Sequence, residues 1–389
     1  MCQYSLVKRF FLGLGVACGL AGCVHAQELP MNEPRLSEEQ ARQQLAGFAA
    51  TWHTREEWQA RAANIRAGIL RGANLSPLPT RCDLKPIIWG RQQRRGYTVE
   101  NVAFESLPGF FVTGNLYRPT DATGRHAAML CTHGHWDGTP RVMEMMQNRC
   151  VGLARMGVVA FAYDMVGYTD STQMEHKNRL SLTLQIWDSM RALDFVTTLP
   201  EVDSARLGCT GESGGGTQTF LLAAVDDRLG LSVPTVQVSA HFFGGCICES
   251  GLPIHHSATH DTDNVEIAAL FAPKPQLLIS DGKDWTHNVP KVEFPYIQSV
   301  YKTFGAEDEV ENAHFAEEGH DYGPTKRQAM YRFVAKHWGL NAAQADETDS
   351  VVPGDSLRVF NSDHPRPADA LQGAEAIGAA LRKSQSQGL

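Results

Sequence analysis

The segment Gly211-Glu212-Ser213-Gly214-Gly215-Gly216 has the form G-x-S-x-G, and it lies between an apolar run ending at Cys209 and a helix-prone run containing Phe220. A serine on a strand-to-helix turn is held in a strained backbone conformation with its hydroxyl exposed. Small residues two before and two after it are needed because neighbouring backbone passes close by. The helix that begins there turns its positive dipole end and its N–H groups toward a developing oxyanion. A serine hydroxyl is a poor nucleophile until a histidine takes its proton, and that histidine needs a carboxylate to fix its tautomer and steady its charge. In the order serine, acid, histidine, the chain offers Asp281 and Asp284 in Ile279-Ser280-Asp281-Gly282-Lys283-Asp284-Trp285, then His320 in Glu318-Gly319-His320-Asp321. Asp284 is preferred, because a carboxylate a few residues beyond a strand end can reach across the top of a sheet. The oxyanion donors expected are the backbone N–H groups of Gly214 and of His135 or Trp136, in the loop Thr132-His133-Gly134-His135-Trp136.

Other residues offer rival chemistry. His133-x-His135-x-Asp137 resembles the first half of the H-x-H-x-D-H motif of two-zinc hydrolases, but the sixth position is Gly138. The group His255, His256, His260, Asp261 and Asp263 fits no common zinc spacing, and Cys246-x-Cys248 is a lone pair without a second CxxC or a flanking histidine. No metal and no other cofactor is therefore expected. Trp136, Trp285, His241, Phe242 and Phe243 fall in loops expected near the serine, where aromatic faces suit pyranose rings. They are read as substrate contacts, and they also leave open a non-catalytic sugar-binding lipoprotein.

The elements that must position these residues follow from pattern. Residues 28–95 are polar and helix-prone and form an N-terminal helical arm. From Gly96 an antiparallel hairpin opens the main domain, with Tyr97 to Phe104 against Phe110 to Tyr117. Apolar runs at 127–131, 158–163, 206–209, 233–238 and 276–279 then alternate with helical stretches, among them Leu182, Ile186, Met190 and Leu193. Continuous apolar runs suit strands buried on both faces, so the expectation is an α/β fold with a mostly parallel central sheet between helices over 96–340. A polar C-terminal extension, 341–389, becomes helix-prone from Ala368.

The first residues carry an address. Lys8-Arg9 precedes an apolar run from Phe10 to Gly22, too short to span a bilayer and suited to an export signal. Leu20-Ala21-Gly22-Cys23 resembles a lipobox, with residues 1–22 removed and Cys23 lipidated for membrane attachment. Ordinary cleavage after Ala26 is the alternative, and the lipobox is preferred. Periplasmic, cell-envelope or secreted placement follows. With 35 Lys+Arg against 43 Asp+Glu, a net charge of −8 and no basic stripe, nucleic acid is excluded as a partner.

Taken together, the G-x-S-x-G turn, the His133-Gly134 loop, Asp284 and His320 resemble the α/β-hydrolase superfamily from about Gly96 to Leu340. More narrowly, they resemble its dienelactone-hydrolase-like group, which contains acetyl xylan esterases and related secreted esterases. The run Asn264 to Pro273 followed by Asp284-Trp285-Thr286 is similar to exported members of that group. The resemblance implies nucleophile Ser213, acid Asp284, base His320, no metal, and an ester of a small molecule or oligosaccharide as substrate. Two departures stand: the acetyl xylan esterase pattern is G-G-S-Q-G-G where this chain has Gly211-Glu212-Ser213-Gly214-Gly215-Gly216, and dienelactone hydrolase proper uses cysteine in place of Ser213.

Overall fold

The computed structural model describes residues 36–120 and 123–387, so the leader and Cys23 lie outside the described residues. Two helices come first, α1 (Glu38–Ala49) and α2 (Arg55–Gly72). Each starts on a capping box, Ser37 with Gln40 and Thr54 with Glu57, which satisfies otherwise orphaned N–H groups. Next come β1 (Ile87–Arg94), β2 (Tyr97–Leu107), β3 (Phe110–Pro119), β4 (His126–Thr132), α3 (Glu144–Arg155), β5 (Val159–Tyr163) and α4 (Leu180–Thr197). They are followed by β6 (Val202–Glu212), α5 (Gly214–Val225), β7 (Leu231–Thr235), the short α6 (Ile247–Ser250), α7 (Asn264–Ala269) and β8 (Gln276–Asp281). The chain ends with α8 (Glu293–Thr303), β9 (Val310–Phe315), α9 (Pro324–Trp338) and α10 (Ala374–Ser386).

Among the described residues nine strands form one sheet in the order β1-β2-β3-β5-β4-β6-β7-β8-β9. The first three and the β3–β5 junction are antiparallel, and every pair from β5 to β9 is parallel. The apolar runs owe their continuity to burial on both faces. In β4, Ala128 and Leu130 face one core with α4, α5, α7 and α8, while Ala127, Met129 and Cys131 face the other with α3 and α9.

One expected boundary is corrected. The opening is three-stranded rather than a hairpin, because β1 falls inside the segment 28–95 assigned to the helical arm. Its side chains are largely exposed and it carries few apolar residues, so it lacks the alternation that marks a half-buried strand. The arm packs on the main domain, and the C-terminal segment enters its core. Trp58, Ile65, Leu357, Val359 and Ile377 are buried, and the described residues fall in one compact unit.

The chain reverses its direction of travel across the sheet at β4, with β5 on one side of it and β6 on the other. In open α/β sheets the crevice beyond the carboxyl ends of the strands at such a switch point is where ligands bind. The loop after β4 holds His135, and the turn after β6 holds Ser213.

Candidate active site

Ser213 joins β6 to α5 with φ 55° and ψ −126°, a conformation that L-residues rarely adopt. It is held from both sides: its N–H donates to the Thr235 carbonyl at 3.1 Å, and its carbonyl accepts from Thr217 N–H at 3.0 Å. The flanking glycines are required by proximity. A Cβ on Gly211 would lie 2.0 Å from Thr132 Oγ1, and one on Gly215 would lie 2.8 Å from the carbonyl oxygens of Thr132 and His133.

Asp284 and His320 meet, with Nδ1 2.6 Å from Oδ2. The other carboxylate oxygen of Asp284 accepts from the backbone N–H and the hydroxyl of Thr286, each at 2.6 Å. Burial acts to raise the Asp284 pKa, but the hydrogen bonds from His320 and Thr286 outweigh it and hold the carboxyl below its ordinary range. The His320 ring packs 4.4 Å from Trp285 and 6.1 Å from Trp136, centroid to centroid. Asp281 has other work: it pairs with Lys326 Nζ at 3.0 Å and accepts from Lys283 N–H, so it anchors the start of α9. Its carboxyl is pushed up by burial and by the charge of Asp284.

The loop after β4 is built around Glu212, the variable residue of the G-x-S-x-G turn. One oxygen of this fully buried carboxylate accepts both Gly134 N–H and the Trp136 indole N–H at 3.0 Å, and the other pairs with Arg149 Nη1 at 2.6 Å. Arg149 also donates to the Thr132 carbonyl at 2.9 Å and lies 4.7 Å from the Tyr322 ring centroid. Burial would raise the Glu212 pKa, yet Arg149 and the Gly134 N–H bring it below the ordinary value. With Gly134 N–H committed to Glu212, the next amides of the loop, His135 and Trp136, are those available to face the crevice.

Beside Ser213 lies a cavity of about 400 Å³, lined among others by His135, Tyr168, His176, Phe242, Cys246 and Trp285. The buried indole N–H of Trp285 has no hydrogen-bond partner among the described residues. Phe242 is almost wholly buried and packs 4.3 Å from the Trp285 ring, so it shapes the wall more than it meets solvent. Trp136 sits against His320 instead of in this cavity. His241 is not in the lining either: its Nδ1 is 3.1 Å from Ser239 Oγ and its ring is 6.0 Å from that of His287. Phe243 stacks on His255 at 4.6 Å.

The His133/His135/Asp137 alternative fails on geometry. His133 is buried with both ring nitrogens used, Nδ1 against the Gly134 carbonyl at 2.8 Å and Nε2 accepting Met165 N–H at 3.0 Å, while Asp137 is exposed. Burial lowers the His133 pKa to about 4, which keeps the ring neutral in this brace. His135 turns the other way, toward His176, Cys246 and Cys248. His176 and the partnership of Glu212 with Arg149 escape a reading of the sequence. The nearest signal was Cys246-x-Cys248 in a loop at the rim where Ser213 lies.

Residues 73–243 match the family model "Acetyl xylan esterase (AXE1)". Among solved structures, "Methylesterase BT1017" superposes with a TM-score of 0.85 and 36% identity, over 92% of this chain and 82% of that one. The chain belongs to the acetyl xylan esterase-like group of the α/β-hydrolase superfamily. As a member of this group of esterases it is a carboxylic ester hydrolase, which removes the non-catalytic sugar-binding reading. A glucuronoyl esterase from Solibacter usitatus shares the esterase fold at a TM-score of 0.55 and 15% identity, over 74% of this chain and 94% of that one. "Polyketide transferase claH" of Penicillium crustosum is 31% identical over 133 residues, 33% of this chain, and the match spans only 41% of that relative's length.

Proposed function

We propose that the protein is an exported serine esterase acting on acyl or alkyl esters of carbohydrate, with Ser213 as nucleophile, His320 as base and Asp284 as its orienting acid. The observation that carries this is the 2.6 Å bond between Asp284 and His320 at the same sheet rim as Ser213 in its strained turn. The bond commits Nδ1–H to the carboxylate and leaves Nε2 as the proton-accepting atom. Among the described residues Ser213 Oγ forms no hydrogen bond, and the contact with Nε2 closes when an ester is bound, as such contacts commonly tighten with substrate. Ser213 Oγ adds to the ester carbonyl and passes its proton to Nε2. The oxyanion accepts from Gly214 N–H and from the His135–Trp136 amides, and the leaving alcohol takes the proton back. Water, deprotonated by His320, then cleaves the acyl-serine.

Acetyl esters on sugars form the first reading, supported by the match of residues 73–243 to the acetyl xylan esterase model. Methyl esters of uronates form the second reading, supported by the likeness to a methylesterase along most of the chain. The two place the sugar on opposite sides of the reaction: as leaving alcohol from an acetyl ester, or retained on the serine from a methyl ester. Export rests on residues 1–26, with attachment through lipidated Cys23 as the preferred form.

Ser213→Ala is expected to lower kcat by about 10³–10⁶-fold with an unchanged thermal midpoint. Acetate and methanol release from acetylated and methyl-esterified oligosaccharides, measured on wild type and variant, tests both readings. Retained turnover in the variant overturns the assignment of the nucleophile.

A further inference from the structure

We propose that His135, His176, Cys246 and Cys248 form a zinc site that clamps three loops together beside Ser213. Four donor atoms, two imidazole nitrogens and two sulfurs, lie within 4.8 Å of one another. His135 Nε2 is 3.1 Å from His176 Nε2 and 3.0 Å from Cys248 Sγ, and Cys246 Sγ is 3.2 Å from His176 Nε2. Zinc bound at about 2.0–2.1 Å to nitrogen and 2.3 Å to sulfur in a tetrahedron places its ligand atoms about 3.3–3.8 Å apart, so only small movements separate this cluster from an occupied site.

Hydrogen bonding among the four groups does not account for their convergence. His176 Nδ1 is 2.6 Å from the Val166 carbonyl, an acceptor, so it carries the proton and Nε2 presents its lone pair to the cluster. That single lone pair faces both His135 Nε2 and Cys246 Sγ, and it can accept one proton only. A cation is the partner that several lone pairs can share, and two thiolates with two imidazoles select zinc over harder ions.

The surroundings hold the donors in place. Glu249 Oε2 accepts the N–H groups of Gly245 and Cys246 at 2.9 and 3.0 Å, and Oε1 accepts from Thr217 and Gln237, which ties the Cys246–Cys248 turn to α5. The His135 ring lies against Gly214, where a Cβ would stand 2.3 Å from its Cε1, so the ring edge bearing Nε2 points to the cluster. His135 and His176 come from the loops after β4 and β5, and Cys246 and Cys248 come from the segment after β7, at the N-cap and in the first turn of α6. With all four positions filled by protein, the metal cross-links these loops and fixes the His135–Trp136 amides, and it leaves no open position for substrate.

The test reads metal and not turnover, so it stands apart from the serine assignment. Wild type and Ser213→Ala, purified under reducing conditions without chelator, are analysed for zinc by mass spectrometry and then exchanged with cobalt(II). About one zinc per chain is expected in both, with less than about a tenth in Cys246→Ser and His176→Ala. The cobalt form of wild type should show intense visible bands and thiolate-to-cobalt charge transfer, and this decides the matter even where a variant fails to fold. Reduced wild type that takes up no zinc from an equimolar supply overturns the proposal. A pink, weakly absorbing octahedral cobalt spectrum, or a Cys246–Cys248 disulfide in untreated protein, does so as well.

Discussion

Glu212 occupies the variable place of the G-x-S-x-G turn, yet its carboxylate sets the height of the whole β4 loop by holding Gly134 and Trp136 while it neutralises Arg149. Glu212→Gln leaves Arg149 charged and buried without a counter-ion, so a loss of about 3–5 kcal/mol is expected in guanidinium unfolding, with kcat reduced at least about tenfold as the loop relaxes. The pair also predicts a pH dependence. The folded pKa of Glu212 is depressed, so its stabilisation is complete above the unfolded value of about 4.3 and is lost as pH falls through the lower folded value. The stability gap between wild type and Glu212→Gln should shrink between pH 6 and pH 3, and a gap that stays constant contradicts the account. Asp284→Asn should cost about 10⁴-fold in kcat by freeing the wrong tautomer of His320. Asp281→Asn should leave kcat within a few-fold and lower the melting temperature through Lys326, and measuring both quantities on both variants separates the two aspartates. Reach past a strand end made Asp284 legible from the sequence. His176 was not, because 70 residues separate it from Cys246 and only the folded sheet brings them together.

At the scale of elements, the turn depends on two strands and a helix passing almost in contact. Gly215→Ala places a methyl group 2.8 Å from two carbonyl oxygens of the β4 loop, and overpacking of this kind costs about 1–3 kcal/mol. A lower thermal midpoint together with a lower kcat is expected, because the same shift that relieves the clash moves the amides proposed to hold the oxyanion. The parallel strands were readable because burial on both faces makes each a continuous apolar run. β1 was not, since an edge strand meets water along one side and is polar for that reason. It has a register break between Trp89 and Gln92 around Gly90, whose φ is 71°, and such irregularities discourage edge-to-edge pairing with another molecule.

At the scale of the molecule, the segment after α9 closes the antiparallel end of the sheet. The Leu357 carbonyl accepts from Asn115 and Arg141, Val359 N–H donates to Asp170, and the Val359 carbonyl accepts from the Trp89 indole. Arg141 is itself fully buried between Asp164 and Asp170. α10 reaches back to the segment after α2, where the Ser384 carbonyl accepts Thr80 N–H and Gln385 donates to the carbonyls of Asn74 and Pro77. Truncation after Leu340 removes Leu357, Val359, Ile377 and Leu381 from the core, at about 1.5–3 kcal/mol each. The truncated protein should lose its cooperative melt and bind a hydrophobic dye, whereas a sharp unchanged transition would show the segment to be dispensable. The polar composition of 341–389 hid this role, because only a few anchoring side chains enter the core and the remainder cross the surface.

That closing segment also sets a timetable. While the ribosome is still making the chain, the pocket around Arg141 lacks its Leu357 carbonyl acceptor and the first strands lack their cover until residues 341–387 have emerged. Completion of the native core is thereby deferred to the moment when α10 comes within reach of residues 74–80.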